Sequence, residues 1–216
     1  MSRLLFRKTG RAKFISHLDL MRTMQRIFIR AGLKVRHTEG FNPHPYMNFA
    51  LPLSVGTESE CELMDFELTE AADPDAIPAM LNRVSPDGIE ALKVYDSARK
   101  FKEIKWLDIE ARLFYDNKTR EAERLREFFA APAIVMEKKT KRSVSDTDIV
   151  PLISALQVMD LSDGLALISA RLAAQDPGLS PAQLISALEQ LAPELAPDHA
   201  AFRRIEVYDK DMVLFR

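Results

Sequence analysis

Cysteine is nearly absent from this sequence. Cys61 is the single cysteine among 216 residues, so the chain holds neither an intramolecular disulfide bond nor a three-cysteine iron–sulfur site. No apolar run approaches the roughly 20 residues that a membrane-spanning helix needs. Residues 1–8 also lack the apolar region and the cleavage site of a signal peptide. These absences predict a cytoplasmic protein with no membrane segment.

Glycine is also scarce, with seven residues, and none of them builds a Gly-rich motif of the kind that cradles a phosphate. No nucleophile triad is visible either. His17 and Asp19 are separated by one residue, which is not a recognised spacing for metal ligands. We therefore expect no cofactor and no metal ion in this chain.

The net charge of −2 hides a strong segregation of charge along the chain. The first fifty residues contain ten Lys or Arg residues against Asp19 and Glu39, which gives that segment a charge of +8 and leaves −10 for the remainder. Such asymmetry favours a directed electrostatic surface over a uniformly solvated one. A polyanion is the expected partner of the N-terminal segment.

Carboxylates gather just beyond the basic segment, at Glu58, Glu60, Glu62, Asp65 and Glu67. The simplest interpretation is the solvated face of a strand. Pairing with arginine side chains, or contact with a partner, is the alternative.

A capped amphipathic helix is predicted to begin at His17. Ser16 and Asp19 have the spacing of a capping box, in which the hydroxyl accepts from the N3 amide and the acidic side chain reaches back to the N-cap amide. Gly32 supplies a left-handed stop. Apolar residues recur at helical spacing and form one face: Leu20, Met21, Met24, Ile27, Phe28 and Ala31.

The opposite face of this helix carries Arg22, Arg26 and Arg30, whose i, i+4, i+8 spacing places three guanidinium groups in one stripe. Like charges in a row repel one another unless an anion lies along them. The stripe is therefore a candidate phosphate-contacting surface, with a solvated helix face as the alternative.

The segment after the helix reads Gly-Phe-Asn-Pro-His-Pro over residues 40–45, and its prolines exclude both helix and central strand. We predict an ordered loop. Aromatic rings can stack on bases, and amide and imidazole groups can hydrogen-bond to base edges. The candidate RNA-binding residues in and around the loop are Arg36, Phe41, Asn42, His44 and Tyr46. The alternative is a stiff loop whose aromatic side chains fill the core.

Several ungapped motifs occur in order in the first third of the chain. They are SHLDLMR at residues 16–22, RAGL at 30–33, GFNPHP at 40–45 and LPLSVG at 51–56, followed by Glu-Ser-Glu at 58–60. Together they resemble the radical-SAM-linked protein family, a domain of unknown function. The resemblance implies a standalone form of a domain that also occurs fused to a radical SAM domain. It further implies an RNA-related setting, since such domains are often encoded beside ribonuclease G and ribosomal-protein genes.

The predicted fold class is α+β, as two tandem ferredoxin-like (βαββαβ) α/β sandwich domains over residues 1–98 and 99–216. In the first domain, strands are predicted at residues 3–8, 11–15, 35–38, 61–68 and 89–95, with a second helix at 73–84. In the second, strands are predicted at 104–115, 133–139, 149–160, 165–173 and 202–208, with helices at 120–129 and 180–191.

Three functions remain open on the sequence. The favoured one is an RNA-binding recognition module for ribosomal or transfer RNA that serves a radical SAM enzyme or a ribonuclease. The second is a metal-independent endoribonuclease, for which His17, His37 and His44 are the candidate acid–base groups. The third is a protein-interaction scaffold that docks a radical SAM enzyme.

Overall fold

The computed structural model describes residues 1–116, 122–139, 144–162 and 164–216. These residues form two compact units, one made of Met1–Phe101 with Arg216 and the other of Lys102–Phe215. Helices and antiparallel strands mix within each unit, so the predicted α+β class is confirmed.

The first unit has the order strand, helix, strand, strand, helix, strand along the chain. Its elements are β1 (Ser2–Lys8), α1 (His17–Arg30), β2 (Met47–Phe49), β3 (Thr57–Phe66), α2 (Ile77–Asn82) and β4 (Ile89–Asp96). The sheet order is β4-β1-β3-β2, and every neighbouring pair is antiparallel.

Helix α1 begins at His17 as predicted, with Ser16 as its N-cap. The Ser16 hydroxyl oxygen accepts from the Asp19 amide at 3.1 Å and donates to the Asp19 carboxylate at 2.7 Å. The Asp19 side chain therefore bonds to the Ser16 hydroxyl group and not to the predicted N-cap amide. Gly32 adopts φ +76° just past the helix end, in the left-handed region that glycine favours. The buried face consists of Leu20, Met24, Ile27 and Phe28.

Four details of the first unit differ from the prediction. The predicted strand at 11–15 is wrong: residues 11–14 lie in a 3-10 helix (Gly10–Phe14), because the chain turns at Gly10 (φ +56°) and buries Ala12. Residues 35–38 make only single bridges, from Val35 to Leu68 and from His37 to Pro45. Strand β3 pairs instead with β2, which lies between the predicted strands 35–38 and 61–68. The α2 helix is also shorter than the predicted 73–84.

The strands of the second unit are also antiparallel. Its elements are β5 (Trp106–Phe114), α3 (Ala122–Phe129), β6 (Val135–Lys139), β7 (Val144–Asp148), β8 (Ile153–Ser162), β9 (Leu165–Ala173), α4 (Pro181–Leu191) and β10 (His199–Tyr208). The sheet order is β10-β5-β9-β8, and β6 and β7 form a separate hairpin. Strand β7 was not predicted, since Val-Ser-Asp-Thr-Asp has little apolar alternation. Residues 120 and 121 of the predicted third helix lie outside the described residues.

An ion pair is buried inside the first unit, between β1 and β3. Arg3 is fully buried, and its guanidinium donates to both carboxylate oxygens of Asp65, at 2.6 Å and 3.0 Å. The same group donates to the Arg99 carbonyl at 2.6 Å and lies 4.4 Å from the centroid of the Phe101 ring. Burial also raises the pKa of Tyr95, which faces Arg3 in the β1–β4 pairing. The Arg3 charge is thus held in a mostly dry environment.

Truncating the buried face of α1 tests its place in the core. Met24→Ala and Leu20→Ala should each lower the free energy of unfolding by about 2–5 kcal/mol, because both side chains are buried and leave a cavity. Ile29 lies on the same helix but is 74% exposed, so Ile29→Ala is the matched control, with an expected change of about 0.5 kcal/mol or less. Urea unfolding measures the free energy of unfolding of all three variants. Equal losses in the three would show that α1 does not pack in the core.

Removing the Asp65 charge tests the buried ion pair. Asp65→Asn should lower the free energy of unfolding by about 3–5 kcal/mol, because it leaves the Arg3 charge buried without a counter-charge. The control is Glu90→Gln, which breaks a pair with the 43% exposed Arg7 side chain and should cost under about 1 kcal/mol. Comparable losses in the two variants, measured by urea unfolding, would show that Arg3 is solvated.

Candidate nucleic-acid interface

Helix α1 presents the predicted arginine stripe to solvent. Arg22, Arg26 and Arg30 are all exposed. The Arg22 guanidinium lies 3.4 Å from the Asp19 carboxylate, which is already bonded to Ser16. Among the residues that the structure describes, the side chains of Arg26 and Arg30 form no ion pair or hydrogen bond. The stripe therefore keeps most of its positive charge.

Other cations of the basic segment have acidic partners. Arg7 pairs with Glu60 at 2.7 Å and with Glu90 at 3.1 Å. Further pairs join Lys13 to Glu58 at 3.5 Å, Lys34 to Glu70 at 2.7 Å, and Arg36 to Glu67 at 3.0 Å. Carboxylates of residues 58–67 thus neutralise cations of residues 1–50. This agrees with the alternative interpretation of these carboxylates, in which they pair with arginine side chains. The charge of +8 read from the sequence is much reduced in the fold.

The loop after α1 is folded back on itself. The Thr38 amide donates to the His44 carbonyl at 2.8 Å, and the Tyr46 amide donates to the Arg36 carbonyl at 2.7 Å. The Thr38 hydroxyl oxygen also accepts from the His44 amide at 3.1 Å. These bonds across the base give the Pro-rich tip an ordered frame, as the sequence predicts.

The aromatic residues of the loop have different surroundings. Phe41 is fully exposed at the tip, so it does not fill the core. Tyr46 is half-buried, with the Arg36 guanidinium 5.0 Å from its ring centroid. Phe49 in β2 packs edge-on against Phe6, with the ring centroids 6.3 Å apart. Phe41 is therefore the aromatic side chain in this set that is most open for stacking on a base.

Asn42 and His44 are exposed next to Phe41. The Asn42 side chain makes no hydrogen bond within the described part of the chain, so it does not fix the turn through its own amide. His44 Nδ1 lies 3.3 Å from the Asn42 carbonyl oxygen and 3.1 Å from the Thr38 hydroxyl. Because a carbonyl only accepts, a hydrogen bond to it requires the proton on Nδ1, and Nε2 is then the acceptor nitrogen of the neutral ring.

The three candidate catalytic histidines are not brought into one cluster. His37 Nδ1 lies 3.2 Å from the Val35 carbonyl oxygen, and the His37 backbone makes a single bridge to Pro45. His17 stands at the start of α1 and packs edge-on against Phe49, with the ring centroids 5.6 Å apart. No bond between these imidazoles is present in the described residues. His37 and His44 lie in the same loop, whereas His17 lies on α1.

One residue of this region was missed by sequence reasoning. Arg83 follows α2 and lines a groove of about 430 Å³ together with Arg26 and Arg30 of α1. The two segments lie more than fifty residues apart along the chain, and Arg83 has no motif around it. Only the packing of α1 near the end of α2 reveals this arrangement.

The described residues show two further features of the chain. No helix among them is long and apolar enough to cross a membrane. They also contain no group of three or more His, Cys, Asp or Glu side chains that could hold a metal ion.

A solved structure described as "Crystal Structure of a Cbf5-Nop10-Gar1 Complex" is similar to this chain, with a TM-score of 0.51 and 10% sequence identity. The similarity covers 95% of this chain and 48% of that chain, so this chain spans about half the length of the chain it matches. At this identity the likeness supports the mixed α+β fold alone. No curated protein matches the sequence.

Residues 2–181 match a family described as "Uncharacterized protein conserved in bacteria (DUF2344)". That match covers most of the 216 residues, in both units. The chain therefore belongs to this uncharacterized bacterial family.

Proposed function

We propose that this chain is an RNA-binding recognition module that acts with an RNA-modifying partner of the radical SAM type or with an RNA-maturing ribonuclease. The observation that carries the proposal is that carboxylates neutralise some cations of the basic segment and not others. Several cations of the basic segment meet carboxylates, whereas Arg26 and Arg30 have no partner among the described residues. A rigid helix face that keeps its charge suits a polyanion, because phosphate contacts release counterions from the nucleic acid.

The loop is the reason for choosing RNA among polyanions. Phosphate contacts alone position a strand, whereas recognition of single-stranded RNA relies on unstacked bases that meet aromatic rings and polar groups. Phe41 offers an exposed ring, and Asn42 and His44 offer exposed hydrogen-bonding groups beside it.

We further propose that the two units are tandem ferredoxin-like domains, and the order of their strands supports this. The sheet orders β4-β1-β3-β2 and β10-β5-β9-β8 correspond to one another, with the β6–β7 hairpin as an insertion in the second unit. This fold hosts many functions, so it supports the module as a scaffold and says nothing about its ligand.

The proposed partner rests on the resemblance to the radical-SAM-linked family. The chain has one cysteine, and Cys61 is buried. A radical SAM cluster, which is held by cysteine thiolates, would therefore be carried by the partner protein. In this proposal the present chain selects the RNA and the partner performs the chemistry.

The arginine stripe is tested by salt dependence. Arg22→Ala, Arg26→Ala and Arg30→Ala should each weaken binding of single-stranded RNA regardless of sequence and lower the salt slope by about 0.7. Arg7→Ala is the control, because Glu60 and Glu90 already neutralise that side chain, and it should leave the slope nearly unchanged. Fluorescence anisotropy across a salt series measures the slopes. Normal binding by the triple variant would make the stripe a solvated helix face.

The loop is tested by sequence preference. Phe41→Ala should weaken binding of preferred RNAs by about 1–3 kcal/mol through lost stacking, with little change in salt slope. His44→Ala and Asn42→Ala should alter discrimination between RNA sequences while thermal stability stays near that of the parent, since both side chains are exposed. Phe14→Ala is the matched control, as Phe14 is an exposed phenylalanine outside the loop. Unchanged preference in all loop variants would favour the protein-scaffold alternative.

A cleavage assay on the same RNAs separates recognition from catalysis. Our proposal expects intact RNA after incubation with the purified chain. Cleavage that is lost in both His37→Ala and His44→Ala would instead establish the endoribonuclease alternative, in which one imidazole accepts a proton and the other donates one.

A further inference from the structure

A groove in the first unit runs between α1 and the turn that follows α2. Three arginines, two hydroxyl-bearing residues and three apolar residues line it: Arg26, Arg30, Arg83, Thr23, Ser85, Ile27, Val84 and Pro86. No carboxylate is among these lining residues. Its volume of about 430 Å³ falls within the ordinary range of small-molecule sites.

The charge of this groove is unbalanced. In the part of the chain that the structure describes, none of Arg26, Arg30 and Arg83 forms an ion pair or a side-chain hydrogen bond. Positive charge in a concave site with apolar walls concentrates the electrostatic field and attracts anions more strongly than the same charge on a flat surface. Mutual repulsion of three guanidinium groups is relieved when an anion lies between them.

The backbone around Arg83 is held in place. The Asn82 side chain donates to the Ala91 carbonyl at 2.8 Å and accepts from the Ala91 amide at 2.7 Å, which fixes the end of α2 on β4. The Ser85 hydroxyl donates to the Leu81 carbonyl at 3.0 Å. Arg83 therefore stands on a fixed turn, and Arg26 and Arg30 stand on a regular helix. Binding an anion here requires side-chain ordering but little backbone movement.

We propose that this groove is a phosphate-binding site in which Arg26, Arg30 and Arg83 are the ligands. Guanidinium groups suit phosphate because two parallel N–H donors match two phosphate oxygens. Arg22 lies outside the groove and beside Asp19, so it does not contact the phosphate in this site. If the phosphate belongs to RNA, this site rests on the proposed RNA-binding function and specifies one of its phosphate contacts.

The phosphate has two possible sources with the same chemistry. One is a backbone phosphate of a single-stranded RNA that crosses the end of α1. The other is a free phosphorylated molecule, for which the groove is a separate small-ligand site. Inorganic phosphate and a single-stranded RNA of twelve nucleotides, each titrated into the full chain, distinguish the sources.

The test compares the parent with Arg83→Gln and Arg11→Gln. Both variants remove one positive charge from an exposed side chain, but Arg11 lies outside the groove. Calorimetric titration with phosphate, at ionic strength matched with sodium chloride, should give a dissociation constant about tenfold larger for Arg83→Gln than for the parent, as one charge-assisted contact is lost. Arg11→Gln should bind phosphate as the parent does. Circular dichroism checks that both variants fold.

The outcomes separate the sources. RNA affinity that falls about tenfold in Arg83→Gln but not in Arg11→Gln assigns the site to the RNA backbone, whether or not phosphate alone is bound. Lost phosphate binding with unchanged RNA affinity assigns it to a free phosphorylated molecule.

Two results overturn the site. One is phosphate binding and RNA affinity that both stay at the parent's values in Arg83→Gln. The other is a parent that binds no phosphate above the chloride control, with equal RNA affinity in all three proteins. A parent that binds phosphate in the groove but no RNA overturns only the proposed RNA-binding function.

Discussion

The buried ion pair between Arg3 and Asp65 constrains the whole first unit. It joins a basic strand, β1, to an acidic strand, β3, at directly opposite positions of the antiparallel register. Leu4 and Phe6 of β1 face the core on the other side of the sheet. A slip of one residue would turn these side chains to the opposite face and separate the charges. The register is therefore fixed both by burial of apolar groups and by the cost of an unpaired buried charge.

The same pairing of strands decides which cations remain available for a ligand. Residues of β3 and its neighbours neutralise Arg7, Lys13 and Arg36, so much of the basic segment serves the structure of the unit. Helix α1 lies outside this exchange and retains its charge. A mostly neutralised surface with one charged helix face directs an anion to a defined place, which a uniformly basic surface would not do.

Helix α1 and the loop after it have different roles in the proposed interface. One face of α1 is anchored in the core by side chains such as Met24, so the guanidinium groups on its other face are held by a rigid element. The loop is held at its base by hydrogen bonds between Thr38 and His44, while Phe41 stays exposed at its tip. Charge on a helix and stacking on a loop are thus supplied by neighbouring segments of the chain.

Local sequence determined the features that depend on near neighbours. The start of α1 at His17, its buried face and its exposed arginines follow from the Ser16 cap and the helical period. The tertiary structure alone decided which distant residues and segments contact one another. Strands were wrongly predicted for the short segments 11–15 and 35–38. A few alternating residues do not show whether a segment will pair with the edge of a sheet. The pairing of Arg3 with Asp65 and the meeting of Arg83 with Arg26 depend on contacts across more than fifty residues, which no local pattern encodes.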